Sequence, residues 1–108
     1  MIAQLSPREL VAWRSDGGRA PPVVVDVRER WEFDYCRIED STSVPLGMLP
    51  QAIDELPPDR DIVLVCHHGV RSQHAAEWLQ RAGFDRVHNL RGGVAAWADE
   101  VDPAMPRY

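Results

Sequence analysis

Cysteine is scarce: only Cys36 and Cys66 occur in 108 residues. Two widely separated thiols make neither a disulfide framework nor a four-ligand zinc site. Long apolar runs are missing too. The longest aliphatic stretches, Val23–Val25 and Ile62–Val65, fall far short of the roughly 20 residues that a membrane-spanning helix needs. The first ten residues, MIAQLSPREL, lack a basic stretch followed by an apolar run, so no secretory signal is expected. Basic residues are in deficit, 12 against 17 acidic, for a net charge of -5. That balance weighs against nucleic acid or an anionic membrane as partner. There is no internal repeat and no low-complexity tract. The Gly and Pro pairs at Gly17-Gly18, Pro21-Pro22, Pro57-Pro58 and Gly92-Gly93 are too short to be interdomain linkers. One domain spanning 1–108 is expected, in a reducing compartment and most simply the cytoplasm.

What is present is ordinary globular material, 44% hydrophobic and 27% charged. Val23–Val27 (VVVDV) and Ile62–Cys66 (IVLVC) are short β-branched runs bounded by Pro or Asp, and read as strands. Their continuous hydrophobicity predicts a sheet covered on both faces, hence parallel strands. Ser43–Leu46 and Arg86–Leu90 are weaker strand candidates. Ser6, Pro7 and Glu9 form a helix start, with a capping Ser and an acidic third position. Leu10 and Trp13 then face the core. Ala75, Ala76, Trp78, Leu79 and Ala82 lie at helical spacing within Ser72–Ala82, and Gly83 ends that helix. A further helix begins near Gly92 and carries Ala95, Ala96 and Trp97. Strands alternating with helices predict an α/β domain with a mostly parallel sheet and helices on both faces.

The informative feature is the order strand, loop, helix at Cys66. Val63-Leu64-Val65 leads into Cys66, then His67-His68-Gly69-Val70-Arg71, and Ser72 opens the helix. In open parallel sheets, ligands bind beyond the carboxyl ends of the strands. Loop amides and a helix N-terminus there converge on one spot and hold negative charge, which favours a thiolate. Gly69 permits a tight or left-handed turn, and Arg71 adds a forked cation suited to an oxyanion. Packing alone would need none of this, although free cysteines are often small core residues.

CHHGVRS resembles the active-site loop of rhodanese-type sulfurtransferases. Asp26-Val27-Arg28 followed by Glu29 resembles that family's first strand motif. Leu90-Arg91-Gly92-Gly93 with Trp97 resembles its late Gly-Gly…Trp signature. The likeness runs from about Leu5 to Trp97, with Asp102–Tyr108 left as a loosely packed tail. It implies a central five-stranded sheet flanked by helices, and an enzyme that carries sulfur on Cys66. Cys66 attacks the sulfane sulfur of a donor such as thiosulfate or a persulfide, becomes a persulfide, and passes the outer sulfur to cyanide or a thiol. The expected site is therefore Cys66 as nucleophile, with His67, His68, Gly69, Val70, Arg71, Ser72 and Arg28 lining it. No cofactor and no metal are expected. The partners are a small sulfur donor, a thiol or cyanide acceptor, and in the relay alternative a sulfur-accepting protein. The chain departs from the common family pattern at Cys36-Arg37-Ile38, where Gly-His-Ile is frequent.

Other residues carry bland expectations. Asp26 reads as a buried carboxylate that orders loops. Arg28 reaches a donor's anionic end or pairs with a nearby acid. His67 and His68 sit too close in a tight loop to share a metal ion with Cys66; they shape the mouth and add charge below neutral pH. Trp13, Trp31, Trp78 and Trp97 read as core or half-buried. Cys36 is expected at a helix C-terminus, where carbonyls and acids give negative potential opposed only by Arg37, and so reads as a packing residue. Two other activities compete. A cysteine phosphatase or arsenate reductase also uses a strand-end thiolate and an Arg, but phosphatases place five residues between them and here there are four. A persulfide carrier that docks to a partner would use the same Cys66.

Overall fold

The computed structural model describes residues 1–108. Five parallel strands form one sheet in the order β1-β5-β4-β2-β3. They are β1 (Ala3–Leu5), β2 (Val23–Asp26), β3 (Thr42–Ser43), β4 (Ile62–Val65) and β5 (Val87–Leu90). The central strand β4 pairs with β2 on one side, Val23 opposite Ile62, and with β5 on the other, Ile62 opposite Val87. Because β4 is covered on both faces, all four of its residues are buried, which is why it reads as an unbroken apolar run. The helices are α1 (Pro7–Ser15), α2 (Arg30–Tyr35), α3 (Leu49–Ala52), α4 (Val70–Arg81) and α5 (Gly93–Glu100).

Alternation along the strands splits the core in two. Val25, Ile62 and Leu64 pack with Leu49 of α3 and Ala75, Ala76 and Leu79 of α4. Val24, Val63 and Val65 pack on the opposite face with Leu10 and Trp13 of α1 and Val94, Trp97 and Ala98 of α5. Leu79 has no exposed surface; truncating such a residue to Ala costs about 2–5 kcal/mol.

The expected start of α1 is present: Ser6 Oγ accepts from Glu9 N–H at 3.1 Å and Glu9 Oε1 accepts from Ser6 N–H at 2.8 Å. One strand is not among the expectations, and three expectations need correction. Edge strand β1 is too short and mixed to announce itself, and exists through its pairing with β5. Helix α4 opens at Val70 rather than Ser72, because Gly69 takes the left-handed conformation (φ 100°) and caps it. The third strand is Thr42–Ser43 rather than Ser43–Leu46, although the Val44 and Leu46 amides still donate to the Asp26 and Val27 carbonyls at 2.9 and 3.0 Å. Trp31 is 63% exposed, not core, since it lies on the outer side of the short helix α2.

Candidate active site

Cys66 follows the last residue of β4 and is 1% exposed. Its Sγ accepts the Gly69 N–H at 3.0 Å and lies 3.3 Å from Ser72 Oγ in the first turn of α4. Cys66, His67, His68 and Gly69 thus form a short loop that turns back on its own sulfur. The turn is held from outside by α5. Its first amides, Val94 N–H and Ala95 N–H, donate to the carbonyls of Cys66 and His67 at 2.9 and 3.1 Å. This contact explains the Gly92-Gly93 pair. Gly93 has φ 59°, and a Cβ there would collide with the backbone carbonyl oxygens of Cys66 and His67. The helix N-terminus therefore fixes the carbonyls of the loop.

The loop histidines stack on each other with centroids 4.0 Å apart. Burial, then the neighbouring His68, push the His67 imidazole below its ordinary range. Positive charge from His67 is thereby displaced to lower pH than expected for a free imidazole. His68 and Val70 are exposed at the rim.

Arg71 leaves the loop towards α2. Its Nη1 and Nη2 donate to Glu32 Oε1 and Oε2 at 2.7 and 2.9 Å, a forked pairing that a Lys could not reproduce. Glu32 is 4% exposed. The Arg71 bonds, helped by the Tyr108 hydroxyl and the Glu29 amide, outweigh burial and hold its carboxyl at about 2. Local sequence does not single out Glu32. Its signal was faint: a Glu at the third position of a helix, with the same local role as Glu9. It does play that role, accepting the Glu29 N–H at 2.9 Å, and uses its remaining capacity on Arg71 and Tyr108.

Arg28 does not fit the expected substrate-binding role. It has no exposed surface. Its Nε and Nη2 donate to Asp26, Nη2 also to the Cys36 carbonyl at 2.6 Å, and Nη1 to Tyr108 Oη at 2.8 Å. The guanidinium is spent on protein partners, and Asp26 is the buried carboxylate expected. The same guanidinium lies 3.8 Å from Cys36 Sγ. Cys36 does cap the C-terminus of α2, but the expected negative surroundings meet a buried cation there.

The tail also departs from expectation. Met105 is buried, and Tyr108, though 39% exposed, returns to the site through its ring and hydroxyl. Tyr108 stacks on His67 at 4.0 Å between centroids, and its hydroxyl accepts from Arg28 and donates to Glu32 Oε2 at 2.8 Å. Burial, reinforced by Glu32, pushes the phenol up to about 12, so it remains a donor. A small cavity beside the loop is walled by His67, His68, Val94, Ala98, Pro106 and Tyr108.

A strand-end cysteine inside such a loop, with α5 seated on it through Gly92-Gly93, is matched by one family model: the rhodanese-like domain aligns with residues 6–100. The chain belongs to the rhodanese-like family. It is 41% identical over 76 residues to a sulfurtransferase of Allochromatium vinosum, covering 70% of this chain and 71% of that one. It is 35% identical over 106 residues to the probable adenylyltransferase/sulfurtransferase MoeZ of Mycobacterium tuberculosis. That match takes in 96% of this chain but spans only 26% of MoeZ. A rhodanese-like domain protein of Staphylococcus aureus superposes with a TM-score of 0.84 at 26% identity, covering 99% of both chains. The rhodanese fold and homology to sulfurtransferase domains follow.

Proposed function

We propose that this rhodanese-like chain moves sulfane sulfur through a persulfide on Cys66. The observation that carries the reading is the Gly69 N–H···Sγ contact at 3.0 Å in a turn with four residues between Cys66 and Arg71. The Cys66 thiolate attacks the outer sulfur of thiosulfate. The sulfur–sulfur bond of the donor breaks, and sulfite leaves with the electron pair. Cys66 then holds a persulfide whose charge sits on the outer sulfur. Cyanide or a thiolate attacks that sulfur, the new sulfur–sulfur bond breaks, and the Cys66 thiolate returns. Preorganised amide donors serve such a moving anion well; losing one from an oxyanion site typically costs about 3–4 kcal/mol.

Arg71 is the proposed anion-handling group, since its side chain is 37% exposed and can reach a donor while paired with Glu32. Two free cysteines suit a reducing compartment such as the cytoplasm. The compact turn suits one sulfur atom better than a phosphoryl group, so phosphate esters are poor substrates under this reading. A persulfide relay to a partner protein is the second reading. It is favoured by the exposed apolar side chains of Trp31 and Val70 near the loop, 63% and 64% exposed, and by relatives in which the domain is one part of a longer protein.

The test is mass spectrometry of the intact protein after incubation with thiosulfate. Native protein gains one sulfur atom, mapped to Cys66 by digestion, and Cys66→Ser gains none while melting as the native chain does. Labelling of Cys66→Ser to the native extent overturns the assignment.

A further inference from the structure

Ser72 Oγ lies beside two acceptors, Cys66 Sγ at 3.3 Å and Asn89 Oδ1. A hydroxyl has one hydrogen, so the two compete for it. The orientation of Asn89 is fixed by its other end. Its Nδ2 donates to Gln4 Oε1 at 2.9 Å and to the Gly69 carbonyl at 3.1 Å, which requires Oδ1 to face Ser72. Asn89 lies on β5 and is 4% exposed, and its bond with Ser72 is buried.

We propose that Asn89 is a positioning residue that takes the Ser72 proton away from Cys66 and so disfavours the empty thiolate. In the thiol form every group is satisfied. Cys66 S–H donates to Ser72 Oγ, and Ser72 O–H donates to Asn89 Oδ1. When the thiol ionises, Sγ needs a donor. Ser72 can turn to it only by leaving Asn89 Oδ1 buried and unpaired, which costs what the new bond gains. The Gly69 N–H serves Sγ in both forms. In the persulfide the charge lies on the outer sulfur, Sγ is a neutral sulfur bonded to carbon and sulfur, and Ser72 stays with Asn89. The network thus favours the loaded cysteine over the bare thiolate. This last step rests on the persulfide reading of Cys66; the proton competition concerns the free thiol alone. The charged and titratable groups around Cys66 are Arg71 on α4, His67 and His68 on the loop, Glu32 on α2, Arg28 beyond β2 and Tyr108 on the tail. None of them is altered by the substitutions below.

The experiment is the rate of iodoacetamide alkylation at Cys66 against pH, followed by peptide mass spectrometry, so no sulfur donor enters. With Ser72 present, Asn89→Ala frees the hydroxyl for the thiolate, and the midpoint falls by about half to one pH unit. With Ser72→Ala as the background, Asn89→Ala does not lower it. Loss of the Gly69 carbonyl's partner loosens the turn, which acts in the opposite direction and in both backgrounds. An Asn89→Ala shift that is not lower with Ser72 present than in the Ser72→Ala background overturns the proposal. Ser72→Ala alone provides an independent arm that does not depend on Asn89 variants folding. Its midpoint moves by less than about half a unit, because Asn89 already holds the proton. A rise of about one unit or more would mean that Ser72 donates freely to the thiolate, and would overturn the proposal.

Discussion

Glu32→Gln keeps the shape of the side chain and removes its charge, so it isolates what the carboxylate contributes. Glu32 is held at about 2 against an ordinary 4.5. That difference corresponds to roughly 3 kcal/mol of folding free energy at neutral pH if none of it is screened. Arg71, the main partner, is 37% exposed at its side chain, and solvent weakens the pair. The expected loss is therefore about 1–2 kcal/mol at pH 7. The sign follows from the depressed carboxyl. Its stabilisation is complete above the unfolded value near 4.5 and disappears as pH falls through the folded value near 2. Urea unfolding of both proteins at neutral pH, and again across that acid window, reads this directly. The gap between native and variant should be full at neutral pH and close progressively towards about pH 2. A gap that is absent at neutral pH, or that keeps its size across the acid window, would refute the assignment of Glu32 as a charged anchor. The kinetic counterpart is a raised KM for thiosulfate, because Arg71 loses the carboxylate that aims it.

Substitutions at three further positions test other parts of the structure. Arg71→Ala should lower kcat/KM for thiosulfate about tenfold or more, and Arg71→Lys should recover only part of it, because an ammonium cannot fork across Glu32; steady-state kinetics with both variants decides this, and unchanged values would place Arg71 outside donor handling. Gly93→Ala drives a Cβ into the carbonyls of Cys66 and His67 at a positive φ, so thermal melting should show a loss of about 2 kcal/mol or more together with lost sulfur transfer. Cys36→Ala should leave thiosulfate turnover near native; a loss beyond about tenfold without loss of fold would give Cys36 a chemical role.

Much of the architecture was legible because its causes are local. The β2 and β4 runs announce strands covered on both faces. The α1 cap is written in Ser6, Pro7 and Glu9, and the Gly-Gly pair marks the start of α5. What was not legible depends on partners distant along the chain. Ala3–Leu5 becomes a strand only beside β5. Glu32 looked like any first-turn acid, and its use by Arg71 spans a separation that no local pattern encodes. Asn89 sits in a strand of ordinary appearance, and its value lies in facing Ser72 and Gly69. The tail is legible only in part: all of 102–108 except Met105 is exposed, as loose packing implies, but its contacts are not written locally. Two prolines and polar residues read as loose chain, yet Met105 is buried and Tyr108 spends its hydroxyl on Arg28 and Glu32. Of the two courses open to Arg28 the structure takes the second: a strand-end Arg next to a motif looks available, whereas Asp26 two residues earlier already claims it.

The position of the two cysteines bears on whether sulfur could pass between them. Cys66 packs with Leu64, Ala75 and Ala76 on the α4 side of the sheet. Cys36 packs with Trp13, Val24 and Val65 on the α1 and α5 side. A direct disulfide would have to draw together two side chains that belong to opposite faces of one sheet, and disulfide geometry tolerates Cβ atoms only about 3.5–4.5 Å apart. The expectation that Cys36 is a packing residue thus gains a steric basis. Its electrostatic basis does not carry over. The carbonyls at the end of α2 do not leave Cys36 in an uncompensated negative field, because Arg28 binds the Cys36 carbonyl and lies 3.8 Å from Sγ. Access supports that expectation instead: Cys36 is 7% exposed and belongs to the core cluster on the α1 face. Its reaction with an added alkylating agent should therefore require local opening of α2.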